Sequence, residues 1–161
     1  APVAKTFGIN LETLTASLGI LADNQIKGSE AGNNLKTMLV ALSNDTKDNV
    51  EILKKHGVTY KQLNVEVYGL AKVMKTLQDA HLTGAESLKI FGSDAAAAGN
   101  ILAANSTKID EYAKKLESVD SIEKLDILIK KYRTRESFEV LFINEKKYGF
   151  ISYKVSKPKD A

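Results

Sequence analysis

The chain contains no cysteine and no tryptophan, and only two prolines and two histidines in 161 residues. Without cysteine there is no disulfide, no thiolate metal ligand and no thiol nucleophile. The two histidines, His56 and His81, stand 25 positions apart. A zinc site using both would need carboxylates that the pattern does not place beside them. No G-x-x-x-x-G-K-[ST], G-x-G-x-x-G, G-x-S-x-G or H-E-x-x-H signature occurs, so no common phosphate-binding, hydrolase or zinc-protease motif is present. No apolar run approaches the roughly 20 residues of a membrane-spanning helix, and no signal-peptide pattern opens the chain. The expectation is a protein with no catalytic residue, metal or cofactor.

What the chain does have is 43% hydrophobic and 27% charged residues, a balance typical of soluble globular proteins. Its length suits one domain with a core, plus a small appendage. Charge is uneven. Residues 1–118 carry 13 basic and 13 acidic side chains, whereas residues 119–161 carry 10 and 7. Six of the eleven aromatics, Tyr132, Phe138, Phe142, Tyr148, Phe150 and Tyr153, also fall in this last part. Charge and aromatic content change together, which predicts a module boundary near Ser118–Ser121.

The most organised stretch is Ile26–Leu42. Gly28 suits a tight corner that requires φ > 0. Ser29 is placed to cap the following helix, with Glu30 in its first turn. Ala31, Leu35, Met38, Leu39 and Leu42 recur on one helical stripe, so Ser29–Leu42 reads as the internal core helix. Gly28 and Gly32 would permit close approach of another backbone. An intramolecular crossing is preferred to a subunit contact, because the small-residue dimer motif is chiefly a membrane signal.

Other helices flank this one. Asn10 reads as an N-cap before Leu11, Leu14, Leu18, Leu21 and Ala22, and Asp23-Asn24-Gln25 closes that helix. The short corner favours an antiparallel pair. Asp45 and Asp48 are spaced as a capping box for a helix through Ile52 and Leu53. That helix ends in Lys54, Lys55 and His56, with Gly57 as its left-handed stop and Val58 beyond. Tyr60–Tyr68, rich in Val and Tyr, fits a short strand or an ordered loop. Leu70, Val73, Met74 and Leu77 form a stripe ending near His81. Thr83 and Glu86 form a capping box for a short helix reaching Phe91-Gly92. Ser93 reads as the next cap. One face then runs from Ala98 to Val119 for six turns, with polar Asn105 marking a bend. Asp120–Tyr132 reads as a helix, and Phe138–Ile143 with Tyr148–Val155 as a β-hairpin. The fold class expected is mainly α: a compact domain of short amphipathic helices over 1–118, then an α+β appendage over 119–161.

Asp23 and Glu30 flank the first corner, but nothing there would drive their pKa values apart, so capping and solvation explain them. Lys146–Tyr153 resembles the RNP1 octamer of RNA-recognition motifs, with Lys146, Tyr148 and Phe150 as the contact candidates. It departs at Lys147 and Ile151. The strand that would precede the motif's helix is absent, as are the helix and strand that should follow. The competing reading is an aromatic hairpin packed on the helix before it, with lysines guarding its edge. Lys154–Lys159 reads as a solvated tail.

Ile-Lys-Gly-Ser-Glu-Ala-Gly (residues 26–32) followed by Leu-Lys-Thr-Met-Leu (35–39) resembles the core of the phage tail tape-measure protein family. Residues 4–8, Leu14 to Ala22, Leu53 to Val58, Leu70 to Leu77, and Ile90-Phe91-Gly92 fit the same pattern, so the resemblance covers about 1–118. It implies a structural role: fixing tail length and scaffolding the tail tube, in the virion tail or in the host cytoplasm during assembly. It implies as partners the tail-tube protein, tail assembly chaperones and other copies of the chain, with no small-molecule substrate. Such a role rests on packing residues, here Gly28, Ser29, Gly32, Leu35, Met38, Leu39, Leu42, Gly57 and Phe91. Members of this family are usually far longer, and the chain opens on Ala1, so a fragment or processed product is expected. Residues 119–161 have no counterpart in that family, which suggests a chimera or a lineage-specific extension.

Overall fold

The structure, a computed structural model, describes residues 7–117. Eight α-helices and one 3-10 turn occur among them, and no strand. The helices are α1 (Leu11–Asp23), α2 (Gly28–Ala41), α3 (Lys47–Lys55), α4 (Val65–Tyr68), α5 (Leu70–Ala80), α6 (Gly84–Phe91), α7 (Ala96–Ala104) and α8 (Ser106–Glu117). The 3-10 turn, Tyr60–Leu63, lies between α3 and α4. The expected boundary at 118–121, the helix Asp120–Tyr132, the two hairpin strands and the RNP1-like octamer all lie outside the described residues.

The centre of the fold is α1, not α2. Asn10 starts it, its Oδ1 accepting from the Thr13 N–H at 2.8 Å. Every residue from Leu14 to Ala22 is buried, including Thr15, Ser17 and Gly19. Helix α8 covers α1 most extensively, with α7 and α2 packed around it. Helix α5 lies against α7 and α8, while α6 joins α2 to α7 and carries α3 on its outer side. By contrast, α2 has one buried face. Leu35, Met38 and Leu39 are fully enclosed and Leu42 is 2% exposed, but Val40 is 51% exposed. The reason is positional: α2 is covered along one side and α1 is wrapped.

Two helices end in the same device. After α1, Ile26 N–H donates to the Leu21 carbonyl and Gln25 N–H to that of Ala22, at 2.9 and 3.1 Å. After α3, Val58 N–H donates to Leu53 and Gly57 N–H to Lys54, both at 3.0 Å. Each is a Schellman motif with a left-handed residue followed by a buried aliphatic one. Gly57 takes that position with φ 74°, and Gln25 takes it with φ 71°.

Several local starts differ from the sequence expectation. Helix α2 begins at Gly28 (φ 59°), with Lys27 at the N-cap and no side-chain cap bond, so Ser29 lies inside the first turn. Helix α3 is capped by Thr46, whose Oγ1 accepts from Asn49 N–H at 3.2 Å, rather than by Asp45. Helix α7 begins after Ala95, not Ser93, because Ala95 and Ala98 are drawn fully into the core. Tyr60–Tyr68 is neither strand nor loop. It forms the 3-10 turn and then α4, whose cap is Asn64 Oδ1 accepting from Val67 N–H at 3.2 Å. Asn105 does more than bend a helix: it separates α7 from α8.

Candidate interaction surface

At the start of α6 an acid and two basic side chains come into direct contact. Thr83 Oγ1 accepts from the Glu86 N–H at 3.1 Å, and Glu86 Oε1 accepts from the Thr83 N–H at 2.9 Å, closing a capping box. The same carboxylate reaches out of its helix. His56 Nε2 lies 2.9 Å from Oε1 and Lys55 Nζ 3.4 Å from Oε2. The C-terminal end of α3, where carbonyls leave negative charge, thus presents two basic side chains to an acid at the positive end of α6. The Thr83 N–H, and then the His56 and Lys55 contacts, hold the Glu86 carboxyl down at about 2 against partial burial.

This arrangement fastens two helices and is unsuited to acid–base chemistry. A carboxyl titrating near 2 stays ionised, so it cannot act as a general acid at neutral pH. Both of its oxygens are already engaged. His81 has a separate partner: it closes α5 in a left-handed conformation, with Nδ1 2.9 Å from the Asp79 carbonyl. No group of three His, Asp or Glu side chains able to hold a metal occurs among the described residues. Asp23 and Glu30 are both exposed.

The remaining surface offers shapes for contact. An open groove of about 450 Å³ runs between the C-terminal ends of α2 and α6, lined by Thr37, Val40, Lys89, Ile90 and Phe91. A smaller cleft of about 230 Å³ lies between α5, α6 and α7 and presents Gln78, His81, Ser87 and Asn100. Val67 and Leu88 are 67% and 51% exposed. No described helix is long and apolar enough to cross a membrane.

The packing residues named from the sequence fall in two places. Leu35, Met38, Leu39, Leu42 and Phe91 share one core cluster. Gly32 is buried on α2, and Gly57 ends α3 beside the His56–Glu86 contact. Lys146, Tyr148 and Phe150 lie outside the described residues. Two features were not anticipated. Thr83-x-x-Glu86 announces a cap, but nothing in it names His56 as the partner. Gly99, directly after four alanines, carries no local motif, yet a Cβ there would sit 3.0–3.2 Å from three ring atoms of Phe91.

Comparison with known proteins places the chain. Residues 1–91 match the family model described as phage-related minor tail protein. The chain is 38% identical over 80 residues, half of its length, to a protein of Pneumococcus phage Dp-1 named tape measure protein. It is 31% identical over 130 residues, 74% of its length, to one of Escherichia phage P2 named probable tape measure protein. It spans 7% and 16% of those two proteins. No solved structure matches the chain significantly. The family match takes in more than half of the sequence, including α1 to α6, and on that ground the chain belongs to the phage-related minor tail protein family.

Proposed function

We propose that the chain is a segment of a phage or prophage tail tape-measure protein, acting structurally to set tail length and scaffold assembly of the tail tube. In this reading it performs no catalysis and takes no cofactor or small-molecule substrate. Its partners are the tail-tube protein, tail assembly chaperones and other copies of itself. It works in the host cytoplasm during assembly and stays in the virion tail. A folded unit over 1–118 and a separate module over 119–161 belong to the same reading.

The observation that carries it is the family match across α1 to α6, joined by two relatives that both bear the tape-measure name. The chemistry agrees. The Glu86 cluster is a helix fastener, and the described surface offers grooves and exposed aliphatic side chains for protein contact. The test is an in-frame deletion of residues 7–117 from the phage gene that encodes them, with tails measured by electron microscopy. The expected result is loss of tails of defined length, restored by the intact gene in trans. Normal tails in normal number would overturn the reading.

A further inference from the structure

We propose that α8 is exchangeable between two copies of this chain, with Asn105 as the hinge. The helical register runs straight through the break. On one continuous helix turning about 100° per residue, positions 98, 102, 109 and 113 fall within roughly 60°. Ala98, Leu102 and Ile109 are fully buried and Ala113 is 6% exposed. No glycine or proline occurs from Asn100 to Glu117. The interruption is confined to one residue, Asn105, at φ −114° and ψ 25°. Its N–H still donates to the Ile101 carbonyl at 3.0 Å. Its side chain competes with the helix for that same carbonyl, Nδ2 lying 2.8 Å from it. A change in φ and ψ at this one residue restores one helix from Ala96 to Glu117, about 33 Å long.

What holds α8 in place is remote in sequence. It packs mainly on α1 and α5 and far less on α7, to which it is joined. If the hinge straightens, α8 leaves its own α1 and uncovers part of that helix, whose residues from Leu14 to Ala22 are all buried in the closed form. Only one occupant restores that surface without loss: the α8 of a second copy, making the same contacts. Closed monomer and exchanged dimer then differ at the hinge and in little else, so hinge preference and concentration decide between them. The proposal gives self-association a geometry, but it rests on the hinge and holds for the isolated chain whatever its role in the tail.

Cysteine-free sequence makes the test direct. The full 161-residue chain carries spin labels at Asp23→Cys and Lys114→Cys, both exposed positions on α1 and α8. It is diluted into excess unlabelled chain, unfolded, refolded at high concentration and separated by size. Exchange predicts a dimer in which the intrachain label distance lengthens while the monomer keeps the single distance of the closed form. Asn105→Ala removes the competing amide and supplies a better helix former at both hinges, so the dimerisation constant should rise roughly tenfold. Asn105→Gln is the second variant, retaining polarity without the short back-bond, and should move the same way. Circular dichroism confirms that each variant folds. No dimer in any variant, or a dimer that keeps the monomer's intrachain distance, overturns the proposal.

Discussion

The two Schellman motifs make a matched pair on which the backbone argument can be tested. Leu21-Ala-Asp-Asn-Gln-Ile26 and Leu53-Lys-Lys-His-Gly-Val58 end their helices with the same two hydrogen bonds, each closed by a buried aliphatic residue, Ile26 or Val58. They differ at the left-handed position, Gln25 in one and Gly57 in the other. A residue bearing a Cβ costs about 1–2 kcal/mol in that conformation. Glycine gives back roughly 0.5–1 kcal/mol through the extra freedom of its unfolded chain. Gln25→Gly should therefore stabilise by a net of about 0.5–1 kcal/mol, since the Gln25 side chain is exposed. Gly57→Ala should destabilise by a similar amount. No atom lies within 4 Å of where its Cβ would go, so the cost is one of backbone and not of clash. For a chain of this size these changes move Tm by about 1–4 °C in opposite directions. Calorimetry and urea midpoints measure both, with an unchanged urea slope showing that only stability moved. A fall in Tm for Gln25→Gly, or a rise for Gly57→Ala, would refute the assignment of these two helix ends.

Two further outcomes follow from side-chain contacts. Gly99→Ala gains up to about 1 kcal/mol in helix propensity but sets a methyl group 3.0–3.2 Å from the buried Phe91 ring, so a net loss of about 1 kcal/mol is expected. In a Phe91→Leu background the same change should become stabilising, which a double-mutant cycle on urea midpoints reads directly. The Glu86 carboxyl is depressed from its ordinary 4.5 to about 2, so its contribution is present above about pH 4.5 and is lost as pH falls toward 2. The stability difference between the native chain and Glu86→Gln should accordingly be full above about pH 4.5 and shrink as the pH falls toward 2.

How much of this was legible beforehand depends on the range of the interaction. The stripes of α1, α2 and α5 could be read because a helix facing a core on one side must repeat its apolar residues at 3.6. Asn10, Gly57 and the Thr83–Glu86 box could be read because caps are satisfied within three or four residues. The burial of Thr15, Ser17 and Gly19 could not. A stripe reading assigns them to a polar face, and that face is closed because α1 is wrapped by helices that return from later in the chain, α8 most extensively. Tyr60–Tyr68 misled for a different reason. Two four-residue elements show no helical period, and Val and Tyr then read as strand formers. The His56–Glu86 link spans 30 positions, and no local rule reaches that far.

The lengths of these helices bear on how a length-setting protein could use this region. The longest described helix, α2, has 14 residues and spans about 21 Å. Residues 7–117 drawn out as one helix would reach roughly 165 Å, whereas folded into a compact unit they have a radius of gyration near 13 Å. If extent along the tube is what is measured, this region while folded is about 34 Å across and contributes roughly a fifth of that rod length. Its buried centre and fastened ends fit a unit that meets other proteins as a shaped body. Within the proposed role, deletion of residues 7–117 should then abolish ordered assembly instead of shortening the tail by 1.5 Å per residue. Tails shortened by the full rod length would mean that these residues act unfolded from the arrangement described here, strung out along the tube.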